Sequence, residues 1–230
     1  FGLGFKSVLG VTDRPEFFSK SGSFGFDADK SAKKIWSAIP ALNGNDTPTL
    51  RLAFPLDPQN AAESDPLLAE LMGWADTVVK LPRDPKETPW LEYDIEKFPA
   101  EFLLFCPHIG EVVLRDVQNS VRRALRVKSD NSSVLLDNGD GEERWKIFEA
   151  AYRPSEDARE DAGEINDREV LPIVWAVPMD GRTSPGNFWA FSPTEYETTL
   201  SGILNAPWKL SEDRKTLIDG LFNQELMERA

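Results

Sequence analysis

Apolar positions in this chain recur mostly in short alternating or continuous runs broken by turn-forming residues, with few stretches at helical spacing. Phe17-Phe18 and Phe24-Gly25-Phe26 alternate around Ser-Gly turns and predict strands, as does Thr49 to Phe54, closed by Pro55 and Pro58. A helix is predicted from Asp65: the carboxylate suits a cap, Pro66 suits the first turn, and Leu67, Leu68, Leu71 and Trp74 share one face. Between Phe102 and Phe148 the pattern is strand-rich: Phe102–Phe105, Val112–Leu114, Val134–Leu136 and Trp145–Phe148, with Asn138-Gly139-Asp140-Gly141 as a strong turn before the last. Residues 153–169 are highly charged and read as a loop or a solvated helix. Val170–Val177 predicts a buried strand paired with Asn187–Phe191 across the Asp180-Gly181 turn, and two short helices, near Glu195–Leu204 and Ser211–Leu221, close the chain. Strands and helices interleave, so the expected class is α/β or α+β, in two domains that part near residue 60.

Composition narrows the function. The 230 residues suffice for one large domain or two modest ones, and 40% hydrophobic with 28% charged residues is ordinary for a globular protein. Apolar runs such as Phe102 to Cys106 fall far short of the ~20 residues a membrane-spanning helix needs, so no membrane partner is expected. With a net charge of −13, no nucleic acid is expected either; the basic stretch Arg122, Arg123, Arg126 and Lys128 reads as a solvated face. Cys106 is the only cysteine, which excludes an intrachain disulfide and a cysteine zinc cluster and fits a cytoplasmic location. His108, the only histidine, reads as a turn residue between strands. One histidine and no convergent carboxylate motif leave little for an unrelated hydrolase. The opening residues show neither an initiator Met nor a signal-peptide pattern, and the chain reads as a piece of something longer.

The glycines at the start place flexible backbone before a predicted helix start, where successive amides can cradle phosphate, with Lys6 beside them. Neither a Walker A loop nor a dinucleotide fingerprint is present, and a plain turn is the simpler reading of Gly-x-Gly alone. The wider stretch, Phe1-Gly2-Leu3-Gly4-Phe5-Lys6-Ser7-Val8 through Thr12-Asp13-Arg14-Pro15, resembles the phosphate-loop motif of the GHKL ATPases, and its Thr-Asp-x-Pro ending is most similar to their sacsin-like branch. The resemblance implies that Gly2, Leu3, Gly4, Phe5 and Lys6 contact ATP phosphates. Thr49 in Pro48-Thr49-Leu50-Arg51-Leu52 occupies the place of the family's adenine-side Thr, with Pro48 where Gly is usual and Thr47 as the alternative. Gly186–Glu195 and Leu204–Arg214 resemble the second, transducer domain of sacsin-like proteins, which sends a Lys or Arg to the γ-phosphate. Asn205, Lys209 and Arg214 are the candidates, Arg214 first for its fit to phosphate oxygens. Trp189 and Trp208 read as core or interface anchors.

The fold implied is therefore the C-terminal remnant of a GHKL ATPase sandwich over residues 1–60, followed by a ribosomal-S5-like transducer α/β domain over 61–230. The family's adenine-binding Asp-x-Gly-x-Gly and the helix with its Glu base and magnesium-binding Asn match nothing in this sequence. ATP is the implied cofactor, with magnesium held by residues absent from this chain. ATP hydrolysis is expected only with the missing N-terminal half supplied, coupled to conformational change, with a client protein and an ATP-dependent homodimer as implied partners. The rival expectation is a nucleotide-independent, chaperone-like interaction module with a degenerate ATPase half.

Overall fold

The computed structural model describes residues 7–83, 90–130, 132–163, 169–182 and 184–230. It is an α+β fold with two sheets, in two compact units, Phe1–Tyr93 and Asp94–Ala230.

The first unit is built on a four-stranded antiparallel sheet, β1 (Glu16–Ser19), β2 (Phe24–Gly25), β3 (Phe54–Pro55) and β4 (Thr77–Lys80), in the order β3-β2-β1-β4. Phe17 and Phe24, opposite each other, stack with ring centroids 5.0 Å apart. Helices α1 (Ala28–Ala38), α2 (Pro58–Ser64) and α3 (Pro66–Met72) each begin on an aspartate whose side chain accepts from backbone N–H groups: Asp27, Asp57 and Asp65. Lys80 of β4 donates to Asp65 at 2.9 Å and, with the Leu68 N–H, holds that carboxyl below its usual range. The expected helix at Asp65 is thus present, although Leu68 is buried while Leu67 and Trp74 of the predicted apolar face are exposed. Because β4 returns to pair along β1, residue 60 lies inside this unit, within α2. Thr49–Arg51, expected as strand, is a 3-10 turn after Pro48, and only Phe54–Pro55 of that run pairs.

The second unit begins within a short helix, α4 (Trp90–Glu96), at Asp94. Eight strands form one sheet: β5 (Glu111–Asp116), β6 (Val121–Asp130), β7 (Ser133–Asp137), β8 (Glu142–Tyr152), β9 (Leu171–Pro178), β10 (Asn187–Trp189), β11 (Pro193–Glu197) and β12 (Ile203–Asn205), in the order β11-β10-β12-β9-β8-β7-β6-β5. All neighbours are antiparallel except β10 and β12. The Asn138 side chain accepts from the Asp140 and Gly141 N–H groups at 2.9 and 3.0 Å and closes the expected β7–β8 turn.

Alternation along the strands supplies two cores. Leu171, Ile173, Phe188 and Leu204 pack with Trp208 under helices α5 (Glu156–Ala162) and α6 (Leu221–Arg229), which contribute Ala158, Ala162, Phe222 and Leu226. Leu125, Leu136, Trp145, Ala176, Trp189 and Ile203 pack with Ala100 and Leu103. Both tryptophans read as anchors, Trp189 and Trp208, are buried.

Four expectations change. Phe102–Phe105 lies within a 3-10 helix, Ala100–Phe105, whose apolar side chains cover the sheet. Asn187–Phe191 does not pair with Val170–Val177; β12 stands between β10 and β9. Gly202 permits this close layering, since a Cβ there would meet the Ala176 carbonyl oxygen at 2.3 Å and its φ is +103°. The predicted helix at Glu195–Leu204 is the end of β11, a turn and the start of β12, and Ser211–Leu221 holds a turn closed by the Leu210–Leu217 bridge, with helix only from Leu221. The charged 153–169 segment takes the helical one of its two expected forms, α5, although its Ala158 and Ala162 are buried.

Candidate functional site

The phosphate-loop residues Gly2, Leu3, Gly4, Phe5 and Lys6 lie outside the described residues. The motif enters the described structure as a 3-10 turn, Ser7–Gly10, followed by bonds from the Val11 and Thr12 N–H groups to the Val8 carbonyl, both 2.9 Å. Its Thr-Asp-x-Pro ending has a local reason. Thr12 is buried and its hydroxyl accepts from the Arg14 N–H at 3.1 Å, while the buried Pro15 gives its carbonyl to the Phe26 N–H at 2.9 Å. Arg14 pairs with Asp29 at 2.9 Å. Thr49 sits half-buried at the start of a 3-10 turn rather than on a strand.

The candidates of the second unit separate by what already holds them. Asn205 is 2% exposed, and its Oδ1 accepts from the Phe191 N–H at 2.8 Å, so its side chain is spent inside the fold. The Lys209 Nζ donates to the Asp161 carboxylate at 3.0 Å and to the Asp161 carbonyl, and its backbone is clamped by the Asn223 amide on both sides. Asp161 also accepts from the Phe222 N–H at 3.0 Å, the main cause holding its carboxyl below the usual range, with Lys209 second. Lys209 therefore joins α5 to α6.

Arg214 differs. It stands in the turn Ser211–Thr216, where the Ser211 hydroxyl donates to Asp213 at 2.5 Å and accepts from the Thr216 N–H at 3.1 Å. The Arg214 N–H donates to the Ser211 carbonyl at 2.8 Å, and the residue adopts φ 61°. Its side chain is exposed and makes no ion pair or hydrogen bond among the described residues. The neighbouring Lys215 is bound to Glu195 at 2.7 Å. The turn thus fixes a backbone and leaves one guanidinium unengaged.

The basic stretch on β6 is a solvated face only in part. Arg122, Arg126 and Lys128 are exposed, and Arg126 pairs with Glu111 at 2.6 Å. Arg123 instead donates to the carbonyls of Asn138 and Phe98 at 3.0 and 2.7 Å and ties the segment before the 3-10 helix to the sheet. His108 is exposed in a turn, and Cys106 is half-buried with its thiol pKa raised by desolvation. Among the described residues no group of three or more His, Cys, Asp or Glu could hold a metal ion, and no helix is long and apolar enough to cross a membrane.

One cluster had no signal in the sequence. Tyr152, at the end of β8, and Ser155, which caps α5, both bind Glu225 on α6: the Tyr152 hydroxyl donates to it, as do the Ser155 N–H at 3.1 Å and the Ser155 hydroxyl at 2.6 Å. Residues so distant along the chain meet only through the packing of α5 and α6 against β9. Beside the cluster opens a cleft of about 420 Å³ lined by Ala150, Ala151, Tyr152, Arg153, Ile173 and Arg229. Comparison with family models, with curated proteins and with solved structures gives no match for this chain.

Proposed function

We propose that this chain is part of a sacsin-like GHKL ATPase, in which the Gly2–Lys6 stretch holds ATP phosphates and Arg214 supplies the cation that meets the γ-phosphate. The observation that carries the reading is the state of Arg214: of Asn205, Lys209 and Arg214, it alone keeps its polar head unengaged among the described residues. A guanidinium offered from a braced turn suits phosphate oxygens, which it can bind in a fork, and it needs no internal ion pair broken to do so. ATP supplies the transferable phosphoryl group. In this reading magnesium accompanies ATP on residues that this sequence does not supply, as the resemblance implies. Lys209 and Asn205 act in this reading as structural residues that hold the strand and α6 on which the Arg214 turn depends.

The test is ATP turnover by the full-length protein carrying this sequence, beside its Arg214→Ala and Lys209→Ala forms. Arg214→Ala is expected to lower turnover by roughly 10²-fold with the melting temperature unchanged, as for loss of a transition-state charge partner. Lys209→Ala is expected to lower the melting temperature. Turnover insensitive to Arg214→Ala moves the cation elsewhere. No turnover by the full-length protein, with no shift in proteolysis on adding a non-hydrolysable analogue, overturns the ATPase reading in favour of a nucleotide-independent interaction module.

A further inference from the structure

The long strand β8 is paired on both sides only around Trp145. β9 runs along it from Trp145 to Tyr152, whereas β7 stops opposite Trp145. The hydrogen-bond phase tells which groups face the unpaired side. The Met179 N–H donates to the Arg144 carbonyl, so even-numbered residues of β8 bond toward β9; the Asn138 N–H donates to the Gly141 carbonyl, so odd-numbered ones bond toward β7. Beyond Trp145, the odd residues Ile147, Glu149 and Ala151 consequently turn their N–H and C=O groups to an open edge, where no partner stands among the described residues. Phe148 beside this edge is 55% exposed, and Glu149, Ala150 and Ala151 are exposed as well.

The open edge runs into the cleft of about 420 Å³, where Ala150 and its cross-strand partner, the buried Ile173, supply apolar lining. At its end stand two arginines. Arg153 makes no ion pair or hydrogen bond among the described residues, and the Arg229 guanidinium lies over the Tyr152 ring, 6.0 Å from its centroid, without a salt bridge there. The nearby Glu225 accepts from three donors of Tyr152 and Ser155 and also feels the charge of Arg229, and Glu228 lines the adjoining hollow beside both arginines. Two cations in so acidic a chain, Arg153 without a partner among the described residues and Arg229 held only through space by Glu225 and the Tyr152 ring, stand where an open strand edge meets the cleft, and they match an extended peptide that finishes in a carboxylate.

We propose that the β8 edge from Ile147 to Ala151 takes up the free C-terminal end of another protein chain as an added strand, with its last apolar side chain over Ala150 and Ile173 and its carboxylate on Arg153 and Arg229. Main-chain bonds to Ile147, Glu149 and Ala151 supply affinity without regard to sequence. The cleft then selects a small or branched apolar last residue, and the arginines select a chain end. This inference stands apart from the ATPase reading, since none of its residues belongs to that site.

A display library of short peptides with randomised C-terminal residues and free carboxylates tests it on the full chain. Enrichment of apolar last residues is expected. The C-terminal amide of an enriched peptide is expected to bind about 10-fold more weakly or worse, a loss that matches one charge-assisted contact. Arg153→Ala with Arg229→Ala should erase the difference between acid and amide while leaving residual binding. Glu149→Pro removes an edge donor that no internal strand uses, so binding should fall for both forms while the circular dichroism stays native. No enrichment, equal binding of acid and amide to the native chain, or indifference to Glu149→Pro overturns the proposal. Dimerisation in sedimentation that Glu149→Pro abolishes would overturn it in favour of edge pairing between two copies of this chain.

Discussion

The two units obey the same antiparallel pairing but earn their stability differently. In the first, β2 and β3 have two residues each, and Pro15, Phe18 and Leu68 are its buried apolar side chains among the described residues. Its elements are fastened by polar ties at their ends: aspartate caps on three helices, Lys80 on Asp65, Arg14 on Asp29. In the second, β6 and β8 run to 10 and 11 residues, and two separate apolar clusters pack on the eight-stranded sheet. Exposed ion pairs contribute at most about 1 kcal/mol, whereas each fully buried large apolar side chain contributes about 1.5–3 kcal/mol. Strand length, by setting how much sheet must be covered, decides which kind of tie dominates.

The largest test of this contrast is Phe222→Ala. Phe222 is 0% exposed under the β9–β12 face, and emptying its site costs about 3–5 kcal/mol. Amide exchange on the full chain should show the slowest sites in β8 and β9 of the native protein, faster exchange in β1 and β4, and acceleration by Phe222→Ala confined to the second unit. Equal acceleration in β1 and β4 would mean that the two units unfold as one.

What the sequence revealed follows the same division. β1, β5, β7, β8 and β9 were legible because alternation or a continuous β-branched run, bounded by turn residues, leaves little choice of face. Phe102–Phe105 misled because a short apolar run has no period, and only its tertiary place over Leu125 and Trp145 makes it a 3-10 helix. Glu195–Leu204 misled because polar residues and Thr carry weak preferences, and pairing with β10 decided their state. Of the candidate site, Arg214 was named through the resemblance on a segment expected as helix that is a turn, and the engagement of Lys209 and Asn205 depends on Asp161 and Phe191, which no local pattern connects to them. The Tyr152–Ser155–Glu225 cluster has no linear signature at all.

A smaller effect separates two aspartates that serve as clamps. Asp161 takes N–H donation from Phe222 and then Lys209, and Asp65 takes it from Lys80 and then Leu68; both carboxyls sit below their usual range. A folded pKa below the unfolded one means stabilisation that is present above the ordinary carboxylate range and lost as pH falls through the lowered value. Asp65→Ala should cost about 1 kcal/mol, the typical value of a helix cap, and Asp161→Ala should lower the melting temperature through the second unit alone. Both differences from the native protein should shrink in thermal melts as the pH is taken below 4. A difference for Asp161→Ala that persists unchanged in acid would assign its role to packing rather than charge.

The smallest effect concerns Tyr152, whose phenol is pushed up to about 12, first by burial and then by its bond to the Glu225 carboxylate. Here the sign is opposite to that of the aspartates. The fold favours the protonated phenol, so the contribution is complete below the unfolded value of about 10 and is lost as pH rises through about 12. Phenolate absorbance should show one of the three tyrosines titrating late. Glu225→Gln should bring that midpoint down but not fully to the free value, because burial, the larger cause, remains. A midpoint unmoved by Glu225→Gln would place the whole shift in burial. The tie between β8 and α6 would then be apolar, like the rest of the second unit, and the contrast between the units would sharpen further.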